Sequence, residues 1–135
     1  MALTTYQGSC HCGDVRFTAN VDLSAQTGRC NCSWCSKIRS WGVILKPDAF
    51  TLLTSEDALS DYQFGTFTGH HYFCRRCGVN VFGRGELEQL GGAFVSIQVA
   101  CLDDVPDEVL VAAPILYQDG RNDAWWQVPA VHKHL

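Results

Sequence analysis

The apolar positions of this chain come in short bursts. Val15, Phe17 and Ala19 alternate with polar residues, the two-residue period of a strand with one buried face. Trp41 to Leu45, Phe50 to Leu53, Tyr72 to Phe73, Val79 to Phe82 and Phe94 to Val99 read as further strand pieces. Glycines such as Gly28, Gly42, Gly65, Gly78 and Gly91 punctuate them. Asp119-Gly120 predicts a hairpin turn ahead of Trp125 and Trp126. No long stretch carries a helical period. Residues 103–112 have room for a turn or short helix, limited by Pro106. The pattern predicts an all-β fold of short strands, with the cysteines carried on loops.

Composition narrows the class. The 135 residues suit a single domain spanning 1–135, long enough for a real core. Apolar residues at 47% and charged residues at 18% mark a globular chain. No run of 18 apolar residues occurs, so no membrane span is expected. Met1 to Tyr6 lacks a basic segment followed by an apolar one, so no secretory leader is expected and the reading is cytoplasmic. A net charge of −4 argues against nucleic-acid binding, although Arg75 with Arg76 and Lys37 with Arg39 form local basic spots.

Eight cysteines change the picture. In a reducing compartment, cysteines at close spacing point to metal rather than disulfides, and a C-x-C disulfide is strained. Seven fall into three groups: Cys10 and Cys12; Cys30, Cys32 and Cys35; Cys74 and Cys77. Two thiolates on one tight turn reach one zinc ion, and Gly78 after Cys77 frees the backbone to make that turn. Two half-sites close a four-sulfur site. If Cys10, Cys12, Cys74 and Cys77 form it, then Cys30, Cys32 and Cys35 are left as a three-sulfur set. Three protein ligands with an open position is the pattern of catalytic zinc. Spacing leaves other arrangements open: Cys10 and Cys12 pair equally well with the central group, and Cys101 or a histidine can complete a second structural site.

The three groups together resemble a known family. Gly8-Ser9-Cys10-His11-Cys12-Gly13-Asp14-Val15-Arg16-Phe17 resembles the opening motif of the glutathione-dependent formaldehyde-activating enzymes, which include the centromere protein V relatives. Cys30-Asn31-Cys32-Ser33-Trp34-Cys35 resembles the central motif, and Phe73-Cys74-Arg75-Arg76-Cys77-Gly78 the third. The order is kept over residues 8–83, and the Trp125 region resembles the family's C-terminal end more weakly. Asn31 stands where a histidine is common, and Ser36 and Lys37 replace arginines often seen there.

The resemblance implies a zinc-stabilised Mss4-like fold of short antiparallel sheets. It implies two zinc ions per chain: a structural one on Cys10, Cys12, Cys74 and Cys77, and a catalytic one on Cys30, Cys32 and Cys35. The implied activity is that of a carbon–sulfur lyase that joins glutathione and formaldehyde into S-(hydroxymethyl)glutathione. Cations for the glutathione carboxylates are then expected among Lys37, Arg39, Arg75, Arg76 and Arg84, and Trp34 and Trp125 are candidate pocket walls.

Two other readings compete. A zinc-structured binding module of the Mss4-like fold needs no open three-sulfur site. A methionine sulfoxide reductase of the B type needs a late catalytic cysteine; Cys101 is the one available, in the unlike context Val99-Ala100-Cys101-Leu102-Asp103. Cys101 otherwise reads as packing, as buried free cysteines do. His11, His70, His71, His132 and His134 read as ordinary strand, loop or tail residues, and Asp103 with Asp104 as a turn.

Overall fold

The computed structural model describes residues 3–135; Met1 and Ala2, where the segment read as lacking a leader begins, lie outside them. The fold is mostly β-sheet with two short helices. β1 (Thr4–Ser9), β2 (Arg16–Val21) and β5 (Phe50–Leu52) form a three-stranded antiparallel sheet in the order β1-β2-β5. The second sheet has seven strands: β3 (Thr27–Cys30), β4 (Gly42–Leu45), β6 (Leu59–Tyr62), β7 (His70–Cys74), β8 (Asn80–Leu87), β9 (Gly92–Gln98) and β10 (Ile115–Gln118). Their order is β10-β3-β4-β9-β8-β7-β6. Every pairing is antiparallel except β10 with β3. Helix α1 (Ser33–Ile38) follows β3, and α2 (Asp107–Ala112) starts immediately after Pro106.

The alternation in β2 works as its sequence predicts: Phe17, Ala19 and Val21 are buried while Arg16 and Thr18 are less so. The core lies where the two sheets meet. Phe17 stacks on Phe50 at 5.4 Å between centroids, Phe50 on Phe82 at 4.6 Å, and Phe82 on Tyr72 at 4.9 Å. One aromatic row therefore ties the three-stranded sheet to the strand that ends in Cys74. The Arg84 guanidinium lies over Phe50, Tyr72 and Phe82 at 5.3–5.9 Å, in cation–π contact with the core rings. Phe17 is fully buried, so Phe17→Ala is expected to cost about 3–5 kcal/mol, read as a lower midpoint in chemical denaturation.

Three details depart from the sequence reading. Asp119-Gly120 does not join two strands: a 3-10 turn at Gly120–Asn122 is closed by a single bridge from Asp119 to Ala124. The parallel β10–β3 contact departs from a purely antiparallel pattern, because a distant C-terminal strand returns beside the one that ends in Cys30. The cysteines are not all on loops, since Cys30 and Cys74 end strands and Cys35 is helical.

Candidate metal centre

The first cluster forms where two tight turns face each other. Cys10 follows β1, and its N–H donates to the Val15 carbonyl at 3.0 Å while the Val15 N–H donates back to Cys10 Sγ at 3.3 Å. Cys74 ends β7, and the N–H groups of Arg76 and Cys77 donate to its sulfur at 3.3 and 3.4 Å. Gly78 completes that turn at φ 79°, a left-handed conformation that costs a residue with a side chain roughly 1–2 kcal/mol. These turns bring Cys10, Cys12, Cys74 and Cys77 within 4.8 Å of one another, sulfur to sulfur. Cys10 Sγ lies 3.7 Å from Cys12 Sγ, which lies 3.6 Å from Cys74 Sγ. Zinc–sulfur bonds of about 2.3 Å place tetrahedral ligands about 3.7–3.8 Å apart, so these spacings fit the ion.

The second cluster is Cys30, Cys32 and Cys35, also within 4.8 Å of one another. Cys32 is the N-cap of α1 and its sulfur accepts the Cys35 N–H at 3.3 Å; the Cys32 N–H donates to Cys30 Sγ at 3.3 Å. Among the described residues no fourth cysteine, histidine or carboxylate joins the three.

Protonation shows why each cluster suits a cation. Cys77 is brought down to about 6, first by the Val79 backbone N–H. Cys12 goes up to about 12: the Asp14 N–H favours its anion, but burial and the neighbouring sulfurs outweigh that. Hydrogen bonds from Cys30 and Cys35 bring Cys32 down to about 2, whereas those same contacts with Cys30 and Cys32 push Cys35 up, helped by burial. These contacts thus favour the anion at Cys77 and Cys32 and disfavour it at Cys12 and Cys35. A divalent cation held by either cluster would favour the ionised form of its thiols.

A bracket from the far end of the chain holds the second cluster. The Asn31 side-chain amide donates to Asp119 Oδ1 at 2.9 Å, and Asn31 Oδ1 accepts the Arg121 N–H at 2.9 Å. Arg121 Nε donates to the Asn31 carbonyl at 3.1 Å, and the Asn31 N–H to the Gln118 carbonyl at 3.1 Å. Gly120 is buried in this bracket: an added Cβ would lie 2.5 Å from Cys30 Sγ and also meet the Trp125 ring. Hydrogen bonds from Asn122 and then Asn31 hold the Asp119 carboxyl below the usual range. A depressed carboxyl pKa stabilises the fold above the unfolded value near 3.9, and the contribution disappears as pH falls through the folded value. Asn31→Ala is therefore expected to weaken metal binding at the second cluster by about 10–100-fold, with little change at the first, measured by chelator competition at neutral pH.

The remaining sequence candidates have mostly structural partners. Arg75 Nη1 donates to the Asp57 carbonyl at 3.0 Å, and Arg76 pairs with Asp14 at 3.8 Å on the surface. His70 Nδ1 meets Asp61 Oδ2 at 2.6 Å, while the His71 ring meets Trp34 in a tilted contact at 4.1 Å. Trp125 packs beside Gly120 near Cys30, and the Trp34 ring meets the His71 imidazole. Cys101 is buried, donates to the Asn80 carbonyl at 3.5 Å and is pushed up to about 11, chiefly by burial. That suits packing and not a reductase nucleophile. Asp103 and Asp104 do more than turn the chain: they accept from Ser9 Oγ at 2.7 Å and the Gln7 N–H at 2.9 Å, clipping β1.

Two cysteine clusters on a small β-fold give this chain two sets of sulfurs that could each hold a metal ion. The sequence profile of the family described as glutathione-dependent formaldehyde-activating enzyme matches residues 5–119, and this chain belongs to that family, whose fold is Mss4-like. A curated relative in Halomonas elongata that bears the family's name is 38% identical over 79 residues, 53% of this chain and 50% of its own length. The chain thus matches about half the length of that relative. A crystal structure of a protein from Rhodobacter sphaeroides superposes with a TM-score of 0.68 at 28% identity, covering 82% of this chain and 99% of its own. Among the described residues no helix is long and apolar enough to cross a membrane.

Proposed function

We infer that this chain is a zinc-dependent carbon–sulfur lyase-type enzyme that binds glutathione, or a related thiol, and forms or cleaves S-(hydroxymethyl)glutathione. The observation that carries this reading is the contrast between a four-sulfur cluster and a three-sulfur one. Four cysteines satisfy a tetrahedral ion and leave nothing for chemistry. Three leave one position for a substrate.

In this reading Cys10, Cys12, Cys74 and Cys77 hold a structural zinc, and Cys30, Cys32 and Cys35 hold a catalytic one, two per chain. The catalytic ion, when bound, gives a thiol a place to ionise near neutral pH. The chain's own residues do the positioning. The Cys32 and Cys35 N–H groups aim at sulfur and relieve its negative charge. The Asn31–Asp119–Arg121 bracket fixes the turn that presents Cys30 and Cys32. In the forward direction the substrate sulfur forms a bond to formaldehyde carbon, the carbonyl π bond opens onto oxygen, and the thiol proton ends on that oxygen.

The test is exchange spectroscopy of the glutathione–formaldehyde equilibrium with and without the zinc-loaded protein. Exchange faster than the spontaneous rate is the expected result. An unchanged rate would move the chain to a binding module built on the same fold.

A further inference from the structure

A groove along α1 joins two pockets that share Ile38, Gly78 and Asn80. The first, of about 460 Å³, is bordered by Arg29, Arg39, Trp41 and Gln98; the second, of about 390 Å³, by Trp34, Tyr62, His71 and Phe73. Their chemistry is opposite. One end carries two guanidinium groups, and the other is a cluster of rings.

Among the described residues neither arginine of the cationic end forms an ion pair: the pairs there join His70 to Asp61 and Arg76 to Asp14. Arg29 Nη1 donates to the Arg39 carbonyl at 3.4 Å, and its guanidinium lies 5.4 Å from the Trp41 ring. Arg39 Nη1 donates to the His134 carbonyl at 3.1 Å. Each guanidinium has five N–H donors, so these neutral partners leave most of them for an anion. The Asn80 and Gln98 side chains are tied to each other at 2.9 Å, and Gln98 also accepts the Trp41 N–H, so the floor between the ends is fixed.

The ring end is preformed too. His71 Nδ1 donates to the Tyr62 carbonyl at 2.8 Å, which fixes its imidazole between Trp34 at 4.1 Å and Phe64 at 5.1 Å. Tyr62 is 49% exposed and Ile38, midway along the groove, is 38% exposed. Asp61 accepts from the His71 N–H at 3.2 Å and lies 2.6 Å from His70 Nδ1, and it adds no cation to this end. The field and the apolar surface therefore orient a ligand in one direction.

We propose that this groove is a binding site for a small organic anion with a flat apolar body, its carboxylate between Arg29 and Arg39 and its ring against Trp34, Tyr62 and His71. A guanidinium pair matches a carboxylate by forked hydrogen bonds, and stacked rings favour a flat apolar group over water. Glutathione brings carboxylates but no ring, so it fills only the arginine end. The site requires neither metal nor formaldehyde chemistry, and it shares with the reading above at most the arginine end, which suits a glutathione carboxylate.

The probe is 3-phenylpropionate, titrated into the zinc-loaded, isotope-labelled full chain and followed by amide and indole N–H shifts. The expected result is saturable binding with a dissociation constant on the order of a millimolar, with shifts at the Trp34 indole and the Gly78 and Asn80 amides. Arg29→Gln and, separately, the exposed Arg39→Gln are expected to weaken it about fivefold or more. Tyr62→Ala, at the other end, is expected to weaken it by a similar factor. The uncharged 3-phenylpropan-1-ol loses the same factor, and propionate does not saturate. No saturable shift, equal affinity for the alcohol, or unchanged affinity in both arginine variants that keep the native spectrum would overturn the proposal. Any of these outcomes leaves the exchange experiment on glutathione unaffected.

Discussion

Cys74→Ser is expected to leave a chain that neither retains its full zinc content nor melts cooperatively. Cys74 is fully buried, ends β7, and accepts the N–H groups of Arg76 and Cys77 on its sulfur. Its thiolate is one of four that would close the structural ion, and a structural zinc contributes about 10–16 kcal/mol to the folding of small metal-dependent units. Whole domains are stable by only about 5–15 kcal/mol. The loss of one ligand therefore competes with the entire stability of the fold. Metal analysis and circular dichroism melts check it. An unchanged melt with undiminished zinc would show that the four-sulfur cluster does not hold the fold together. Prolonged exposure of the parent protein to a strong chelator should give the same melted state.

The second large effect has the opposite profile. Cys35→Ser is expected to lose about one zinc per chain, and with it any acceleration of glutathione–formaldehyde exchange, while the melt stays close to that of the parent. Cys35 is a half-buried residue of a six-residue helix that carries no fully buried side chain, and the aromatic row of the core does not touch it. The helix stays pinned by Trp34 on His71. Zinc stoichiometry, thermal melts and exchange rates on the same sample decide the outcome. If Cys35→Ser melts as badly as Cys74→Ser, the two clusters do not divide into structural and catalytic roles.

The cysteines were legible because their chemistry is local: C-x-C and C-x-x-C put two sulfurs on one turn whatever the rest of the chain does. Gly78 was legible for the same reason, as a turn residue beside its ligand. The alternation of Val15, Phe17 and Ala19 likewise announced β2 and its buried face. Helix α1 was not legible, because six residues are too few to establish a period and its N-cap is a cysteine, a residue outside the usual capping set. The bracket on Asn31 was out of reach for a different reason. Its partners stand 88 and 90 residues away, and nothing local in Asn31 or Asp119 records that pairing. Arg29, in the groove along α1, carries no local signal, because it looks like any strand arginine until Arg39 and Trp41 are folded around it. The bracket itself is what the parallel return of β10 beside β3 creates.

That return also sets an order of events during synthesis. All four sulfurs of the first cluster have left the ribosome once residue 77 has, and the turn that seats them is complete with Val79. The three sulfurs of the second cluster emerge much earlier, by residue 35, yet the segment that braces them, Gln118 to Trp125, is among the last to appear. A nascent chain can therefore close its four-cysteine site while the other cluster is still an unbraced turn. A chain interrupted before residue 118 would keep all seven sulfurs and lack the segment that braces Asn31 between Cys30 and Cys32.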